Sequence, residues 1–167
     1  WAESLGKIRG GGHVGPTPLP AVGATDQHAQ VQLFMEGPQD KVVVFLSVDP
    51  GEDVQIPSLH ADVEALAYLG GATLGGLLDA ERRATTEALR RRGRPSLTLS
   101  MGPVTPASLG GVLMLFQVAT VYAGALYGVD PLDQPGVELG KELTYGLMGR
   151  AGYAPPELPD PDPRWRV

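Results

Sequence analysis

The stretch Lys41-Val42-Val43-Val44-Phe45-Leu46-Ser47-Val48 decides the fold class of this chain. It is a nearly continuous run of β-branched, aromatic and aliphatic residues, whereas a half-exposed strand alternates apolar with polar positions. A run of this kind is typical of a strand that is buried on both faces, as in a parallel sheet. Helical patterns surround it, so the sequence predicts a helix-rich α/β fold.

Helical patterns account for most of the remaining chain. Residues 1–7 are predicted to be the end of a helix, which Gly6 terminates. Further helices are predicted over about 25–36, 59–69, 72–92, 105–127 and 135–149. Thr25 or Asp26 caps the second of these, and Gly37-Pro38 ends it. The alternating segment Ser96–Ser100 is predicted as a second strand, and residues 8–24 as a loop rich in Gly and Pro.

Two strands are too few for a self-contained α/β sheet. We therefore expect further strands from sequence upstream of Trp1, and a first residue other than Met agrees with a processed or truncated chain. Residues 1–150 are predicted to be part of one α/β domain. Residues 151–167 are predicted to form an extended Pro-rich C-terminal tail, because closely spaced prolines exclude helix and central strand.

Composition excludes several classes of function. The net charge of −6, without a basic stripe, argues against nucleic-acid binding, and the absence of Cys excludes disulfides and thiolate sites. The three histidines are widely spaced and give no metal-site signal, so no metal is expected. The apolar run Leu109–Gly128 contains Gln117, Thr120 and small residues, which favours a buried core helix over a membrane span. A cytoplasmic protein is expected.

The most distinctive motif is Gly128-Val129-Asp130-Pro131-Leu132-Asp133-Gln134-Pro135-Gly136-Val137-Glu138-Leu139-Gly140-Lys141. Gln134 and Lys141 lie seven residues apart, which is two helical turns and predicts that both project from one helix face. Gly136 and Gly140 indicate that other groups pack closely there. Glu138 is four residues from Gln134, so it is a candidate to position either side chain.

Two further segments carry candidate chemical groups. Glu3 lies in Glu3-Ser4-Leu5-Gly6-Lys7, and His28 lies in the first turn of the predicted helix that begins with Thr25-Asp26-Gln27. The positive end of that helix favours a neutral, proton-accepting imidazole. Considered alone, a terminal glutamate, a helix histidine and an amphipathic-helix lysine are all ordinary surface residues.

Taken together, these segments resemble the glucose-6-phosphate isomerase (phosphoglucose isomerase) family, specifically the C-terminal portion of a bacterial-type enzyme, over roughly residues 1–148. The resemblance implies part of a doubly wound parallel-sheet sugar-isomerase (SIS) domain, the second of two in the family. It implies an aldose–ketose isomerase that interconverts glucose 6-phosphate and fructose 6-phosphate through an enediolate. It also implies a sugar phosphate substrate, a homodimer and no cofactor, nucleic acid or membrane.

The resemblance also assigns roles to residues. Glu3 corresponds to the proton-transferring base, His28 assists ring opening in the site of the neighbouring subunit, Lys141 acts near the ring oxygen, and Gln134 contacts the phosphate. A Ser/Thr-rich phosphate loop and an active-site arginine of the family lie in the upstream N-terminal half, which would be a partner of this segment. Two alternatives stay open, a non-catalytic sugar-phosphate-binding SIS module and a purely structural helical domain. Having all four residues in family order favours the enzyme.

Overall fold

The computed structural model describes residues 1–160, 162 and 164 of the chain. It has a mixed α/β fold that is rich in helix, as the sequence predicts. The elements in chain order are α1 Ala2–Leu5, β1 Lys7–Arg9, β2 Gly12–Val14, α2 Thr25–Glu36, β3 Val43–Asp49, α3 Glu64–Ala67, α4 Leu74–Arg91, β4 Ser96–Pro103, α5 Pro106–Tyr127, a 3₁₀ turn Pro135–Val137, and α6 Glu138–Leu147.

β3 and β4 form a parallel pair, which confirms the strand orientation predicted from the apolar run. Val44 lies opposite Leu97 and Leu46 opposite Leu99 in the register. The predicted burial of β3 on both faces is wrong for this chain by itself. Val44 remains 45% exposed and Leu46 49% exposed, and both lie on one face of the sheet. The pattern identified the strand correctly, but the described residues do not supply a second covering layer.

The other face of the sheet contacts α4. Arg82 Nη1 donates to Thr98 Oγ1 at 3.5 Å, and Leu89 of the same helix is fully buried. α4 begins where the sequence predicts, because the Thr73 hydroxyl accepts a hydrogen bond from the Gly76 N–H at 3.0 Å and satisfies one free donor of the first turn. Gln27 of α2 donates to the Thr85 hydroxyl, which joins α2 to α4.

α2 has the predicted bounds but not the predicted cap. Its N-cap is Ala24, and neither Thr25 nor Asp26 caps it through a side chain. Asp26 Oδ2 instead accepts a hydrogen bond from the Val22 N–H at 2.6 Å, so its carboxylate fixes the chain entering the helix. The negative charge still lies in the first turn, where the helix dipole favours it.

Two further local predictions are wrong. The helix predicted over 59–69 is limited to α3, because the Ile56 N–H donates to the Ala72 carbonyl and the Gly71 N–H to the Ile56 carbonyl, which closes the segment as a loop. The loop predicted over 8–24 contains the β1–β2 hairpin. Gly10 and Gly11 both have positive φ, as a two-residue type I′ turn requires, so the glycine run was a hairpin signal.

α5 is, within the described part of the chain, the one helix that is long and apolar enough to cross a membrane, by length and composition only. The core helix of a soluble protein meets the same two criteria, and such a helix was predicted. In this chain, however, the buried residues of α5 are Ala123 and Gly124, and Leu126 is 86% exposed. The predicted burial is therefore wrong for the chain by itself, since the described residues leave its apolar sides uncovered.

The described chain separates into two compact units, residues 1–18 with 116–167, and residues 19–115. In the first unit, the start of the Pro-rich tail packs on α6. A side chain at Gly146 would place its Cβ 2.1 Å from the Ala154 carbonyl oxygen. The Arg150 guanidinium lies 4.3 Å from the Tyr145 ring centroid and 5.3 Å from that of Tyr153.

The division into a domain over 1–150 and a tail over 151–167 stays a prediction, and residues 161, 163 and 165–167 lie outside the described residues.

Candidate active site

Glu3 lies on α1, a single helical turn whose exposed side carries the carboxylate. The turn is anchored by Leu5, which is fully buried. Gly15 packs against its other side. Gly15 has φ +107°, and a Cβ atom added to this glycine would lie 2.4 Å from the Leu5 carbonyl oxygen. Close backbone contact at Gly15 therefore fixes α1, and the carboxylate of Glu3 remains accessible.

Lys7 follows α1 directly and reaches a segment more than 120 residues away. Its ammonium donates to the Asp130 carbonyl oxygen at 2.6 Å, to Asp133 Oδ1 at 2.6 Å and to the Asp133 carbonyl oxygen. These contacts use all three ammonium donors. The side chain of Lys7 is only 8% exposed. Two residues along β1, Arg9 Nη1 donates to the Tyr127 carbonyl oxygen at 2.8 Å.

The motif that starts at Gly128 forms a defined end to α5. Gly128 has φ +67°, its N–H donates to the Ala125 carbonyl, and the Val129 N–H donates to the Gly124 carbonyl at 2.9 Å. These two bonds are those of a Schellman motif, which uses a left-handed glycine to satisfy the last helical carbonyls. The Asp130 carboxylate then accepts from the Leu132 N–H at 2.8 Å. Residues 128–133 therefore have a fixed path that leads to Gln134.

Gln134 does not lie on a helix face with Lys141, and that prediction is wrong. Gln134 has φ −139° and ψ 64° and precedes the 3₁₀ turn, whereas Lys141 lies in the first turn of α6. The intervening Pro135 begins a tighter 3₁₀ turn, so the two-turn α-helical spacing does not apply. Gln134 is half-buried, and Lys141 is exposed.

Glu138 positions Lys141, which is one of the two side chains that the sequence suggested it could position. Lys141 Nζ lies 2.7 Å from Glu138 Oε1, one turn earlier on α6. This hydrogen bond and the charge of Glu138 raise the pKa of the Lys141 ammonium above its usual value, so Lys141 is a cation at neutral pH.

The close packing predicted around Gly136 and Gly140 is absent from the described residues. A Cβ added at either glycine would meet nothing within 4 Å. Both glycines therefore leave open space beside Gln134 and Lys141 in this chain.

His28 lies on α2, in the unit formed by residues 19–115, and its imidazole is exposed. Glu3, Gln134 and Lys141 all belong to the other unit. Among the predicted site residues, the structure therefore places three in one compact unit and leaves the histidine on the surface of the second. His13 is on β2 and His60 is in the loop before α3, and both are exposed.

Two hollows in the described part of the chain contain none of the predicted site residues. One of about 550 Å³ runs along the side of α4 and is lined by residues of that helix only, including Arg82 and Glu87. Both side chains are already paired, Arg82 with Asp79 and Glu87 with Arg90, so this open helix flank is not a substrate cleft. Within residues 1–160, 162 and 164, no group of three or more His, Asp or Glu side chains is arranged to hold a metal ion.

Comparison with known proteins adds the decisive observation. The family model for phosphoglucose isomerase matches residues 15–151, and this span contains His28, Gln134 and Lys141. The chain belongs to the phosphoglucose isomerase family. Glu3 lies outside the matched residues, so its assignment depends on the resemblance of Glu3-Ser4-Leu5-Gly6-Lys7.

Relatives in this family cover most of the chain. It is 51% identical over 154 residues to a glucose-6-phosphate isomerase of Rubrobacter xylanophilus. The matched region covers 92% of this chain and 35% of the relative. It is 48% identical over 144 residues to a glucose-6-phosphate isomerase of Thermus thermophilus, with 85% of this chain and 34% of the relative covered.

A solved structure supports the fold. The crystal structure of a hypothetical protein from Thermus thermophilus superimposes with a TM-score of 0.80 at 46% sequence identity, and covers 88% of this chain and 36% of that chain. The chain therefore spans about a third of the length of the family members that it matches. The roles of Glu3, His28, Gln134 and Lys141 remain predictions, since neither geometry nor similarity tests a catalytic role.

Proposed function

We propose that this chain is the C-terminal segment of a cytoplasmic aldose–ketose isomerase that interconverts glucose 6-phosphate and fructose 6-phosphate. The observation that supports this most strongly is 51% identity over 154 residues to a protein named glucose-6-phosphate isomerase. A further support is that Glu3 belongs to the same compact unit as Gln134 and Lys141, although it lies more than 130 residues from either in sequence. We also propose that this segment contributes to the second of two doubly wound SIS domains.

The proposed chemistry assigns one task to each side chain. The Glu3 carboxylate removes the proton from C2 of the open-chain aldose, giving an enediolate, and returns a proton to C1 while the hydroxyl proton passes from O2 to O1, which leaves the C2 carbonyl of the ketose. The Lys141 ammonium acts near the ring oxygen, where a cation stabilises negative charge that develops as the ring opens. The Gln134 amide donates to phosphate oxygens, and His28 transfers a proton in ring opening.

The chain supplies part of the machinery that this reaction needs. A phosphate dianion is bound most tightly by several charge-assisted hydrogen bonds. Gln134 is neutral, and Lys141 is paired with Glu138. We propose that the rest of a family-length protein contributes the Ser/Thr-rich phosphate loop and an arginine, and that both are required for useful affinity.

A chimaera tests the proposed activity directly. The aligned segment of the Thermus thermophilus relative, which is 48% identical over 144 residues, would be replaced by the corresponding residues of this chain. We expect the chimaera to convert fructose 6-phosphate to glucose 6-phosphate. A folded chimaera without turnover, beside an active parent, would contradict the proposal. Binding of fructose 6-phosphate by calorimetry without turnover would favour the non-catalytic SIS module.

We further propose that the enzyme is a homodimer in which His28 serves the site of the neighbouring subunit, as its exposed position on α2 allows. Mixing two inactive variants of the full-length protein, Glu3→Gln and His28→Ala, tests this. If each site combines Glu3 of one subunit with His28 of the other, a mixed dimer contains one intact site, so activity reappears after subunit exchange. If both residues act within one subunit, the mixture stays inactive.

A further inference from the structure

We propose that Lys7 is a positioning residue of the isomerase site, which ties the segment carrying Glu3 to the loop carrying Gln134. This inference depends on the proposed function for its catalytic readout, although the contact itself can be tested without activity. Lys7 is the last residue of the Glu3-Ser4-Leu5-Gly6-Lys7 motif.

The geometry of Lys7 differs from that of an ordinary surface lysine. Its side chain is almost completely covered, and its ammonium makes three contacts with two residues of one loop, Asp130 and Asp133. A lysine that is withdrawn from water needs such partners, because an unpaired buried cation is strongly unfavourable. Removing the ammonium would leave two backbone carbonyls and one carboxylate oxygen without their donor. The contact therefore selects one arrangement of the loop.

The position of Lys7 in sequence connects this contact to both candidate site residues. Lys7 is four residues from Glu3 and is separated from the helical turn α1 only by Gly6. Asp133 is the residue immediately before Gln134. The ammonium thus fixes the separation between a base that acts at C1 and C2 and an amide that holds the phosphate at the other end of the substrate. Misplacement by about 1 Å can reduce a rate roughly 100-fold.

Arg9 contacts the same region but has a different function in the fold. It donates to the Tyr127 carbonyl at the end of α5, and its guanidinium lies against Gly128. This contact satisfies the C-terminal end of a helix and is six residues away from Asp133 in sequence. Lys7, by contrast, contacts the residue adjacent to Gln134, so Lys7 and not Arg9 is the positioning residue.

The test uses the full-length protein with Lys7→Met, Lys7→Arg, Asp133→Ala and the double variant Lys7→Met/Asp133→Ala. Lys41→Met is the matched control, because Lys41 is a lysine whose ion pair is with its own neighbour, Asp40. At a temperature where all variants are folded, we expect Lys7→Met to lower kcat for fructose 6-phosphate roughly 10- to 100-fold. Lys7→Arg should recover most of this loss, and Lys41→Met should stay within about twofold of the unmodified protein.

The double variant distinguishes positioning from unrelated effects. Asp133→Ala keeps both carbonyl acceptors, so it should fold and lose less activity than Lys7→Met. Because both changes remove the same contact, the double variant should be no worse than Lys7→Met alone. A purely structural role would lower the midpoint of thermal unfolding in the Lys7 and Asp133 variants while leaving kcat per folded molecule unchanged. That result would overturn the proposal.

Hydrogen exchange supplies a readout that does not require turnover. The amides of Leu132 and Val137 donate to the Asp130 carboxylate and the Gln134 carbonyl, and they report on the order of the loop. We expect Lys7→Met to accelerate their exchange at least about tenfold and Lys41→Met to leave it unchanged. Unchanged exchange in Lys7→Met would contradict the proposal that Lys7 holds this loop in place. An inactive unmodified protein would contradict the proposed function instead, and the exchange measurement would still test whether Lys7 holds the loop.

Discussion

At the scale of single residues, the position of Glu3 makes a direct prediction. Its carboxylate is exposed on α1, so Glu3→Gln should not disturb the fold. We expect the turnover rate of the full-length Glu3→Gln variant to fall roughly 10²- to 10⁴-fold, because a general base is removed. The affinity for a sugar-phosphate inhibitor should be retained, because losing a negative charge does not weaken binding of an anion. Parallel loss of inhibitor affinity and turnover, measured by calorimetry and assay, would indicate a structural role.

The Glu138–Lys141 pair predicts a shift in titration. Glu138 raises the pKa of Lys141 above 10.5 by accepting its hydrogen bond, so Glu138→Gln should return that pKa toward 10.5. Because the pKa of Lys141 is higher in the folded than in the unfolded chain, its pairing with Glu138 stabilises the fold below pH 10.5. This stabilisation is lost as the pH rises through the folded-state pKa.

An NMR titration of the Lys141 Cε signal measures this shift. Because both side chains are exposed, the effect on unfolding free energy should be small. An unchanged titration midpoint in Glu138→Gln would mean that the pair does not form in solution. Glu142→Gln, on the same helix, is the matched control.

Residue-level inference from the sequence succeeded where a local motif decides the structure. Gly6 ends α1 and Gly37 ends α2, as their sequence contexts predict. It failed where a side chain had two possible partners within reach, as at Asp26, which accepts from Val22 and does not cap its helix. Spacing alone also placed Gln134 on a helix face, although Pro135 starts a 3₁₀ turn after it.

At the scale of elements, the end of α5 gives a stability prediction. Gly128 has φ +67°, and an added Cβ would lie 2.6 Å from the Arg9 guanidinium carbon. We expect Gly128→Ala to destabilise the protein by about 1–2 kcal/mol from the left-handed backbone conformation. Gly110→Ala is the matched control, because Gly110 lies inside α5 with nothing within 4 Å, and it should stabilise by about 0.5–1 kcal/mol.

Denaturant unfolding of the full-length protein measures both changes. Equal effects of Gly128→Ala and Gly110→Ala would show that the Schellman motif does not form. The comparison isolates the helix end, because the same substitution is made inside the helix and directly after it. The two positions differ in whether the backbone conformation requires glycine, and an added Cβ meets the Arg9 guanidinium only at Gly128.

At the scale of the whole molecule, the exposed sheet face predicts self-association of the isolated chain. Val44, Leu46, Val48 and Leu97 are all about half exposed, and an apolar surface of this kind is usually covered in a stable protein. We expect Leu46→Lys to weaken self-association about tenfold, because burial of a leucine contributes about 1.5–3 kcal/mol. Gln55→Lys adds the same charge at a polar, exposed position outside both β3 and α5 and should leave association unchanged. Sedimentation equilibrium that fails to separate the two variants would contradict this.

The isolated 167-residue chain should also be a poor catalyst. Each charge-assisted phosphate contact contributes roughly 1.5–3 kcal/mol, so the absence of two or three would raise KM far above useful substrate concentrations. Assay of the purified chain with fructose 6-phosphate, with and without the separately expressed remainder of a family-length protein, checks this. Full activity of the chain alone would show that its own residues complete the site.

The sequence by itself determined what depends on short-range patterns. These are the helices over 25–36, 74–91 and 106–127, the parallel strand pair, and the motifs that identify the family. Each follows from periodicity, capping or residue order within a few turns, so neighbouring residues are sufficient to specify it.

Only the tertiary structure decided which distant groups meet. The contact of Lys7 with Asp133 joins residues 126 positions apart, and nothing local to either residue signals it. The tertiary structure likewise decided that one face of β3 and most of α5 stay exposed in this chain, although their composition is that of buried elements. The physical reason is that composition records how much apolar surface must be covered, whereas coverage depends on which other segments are present to pack against it.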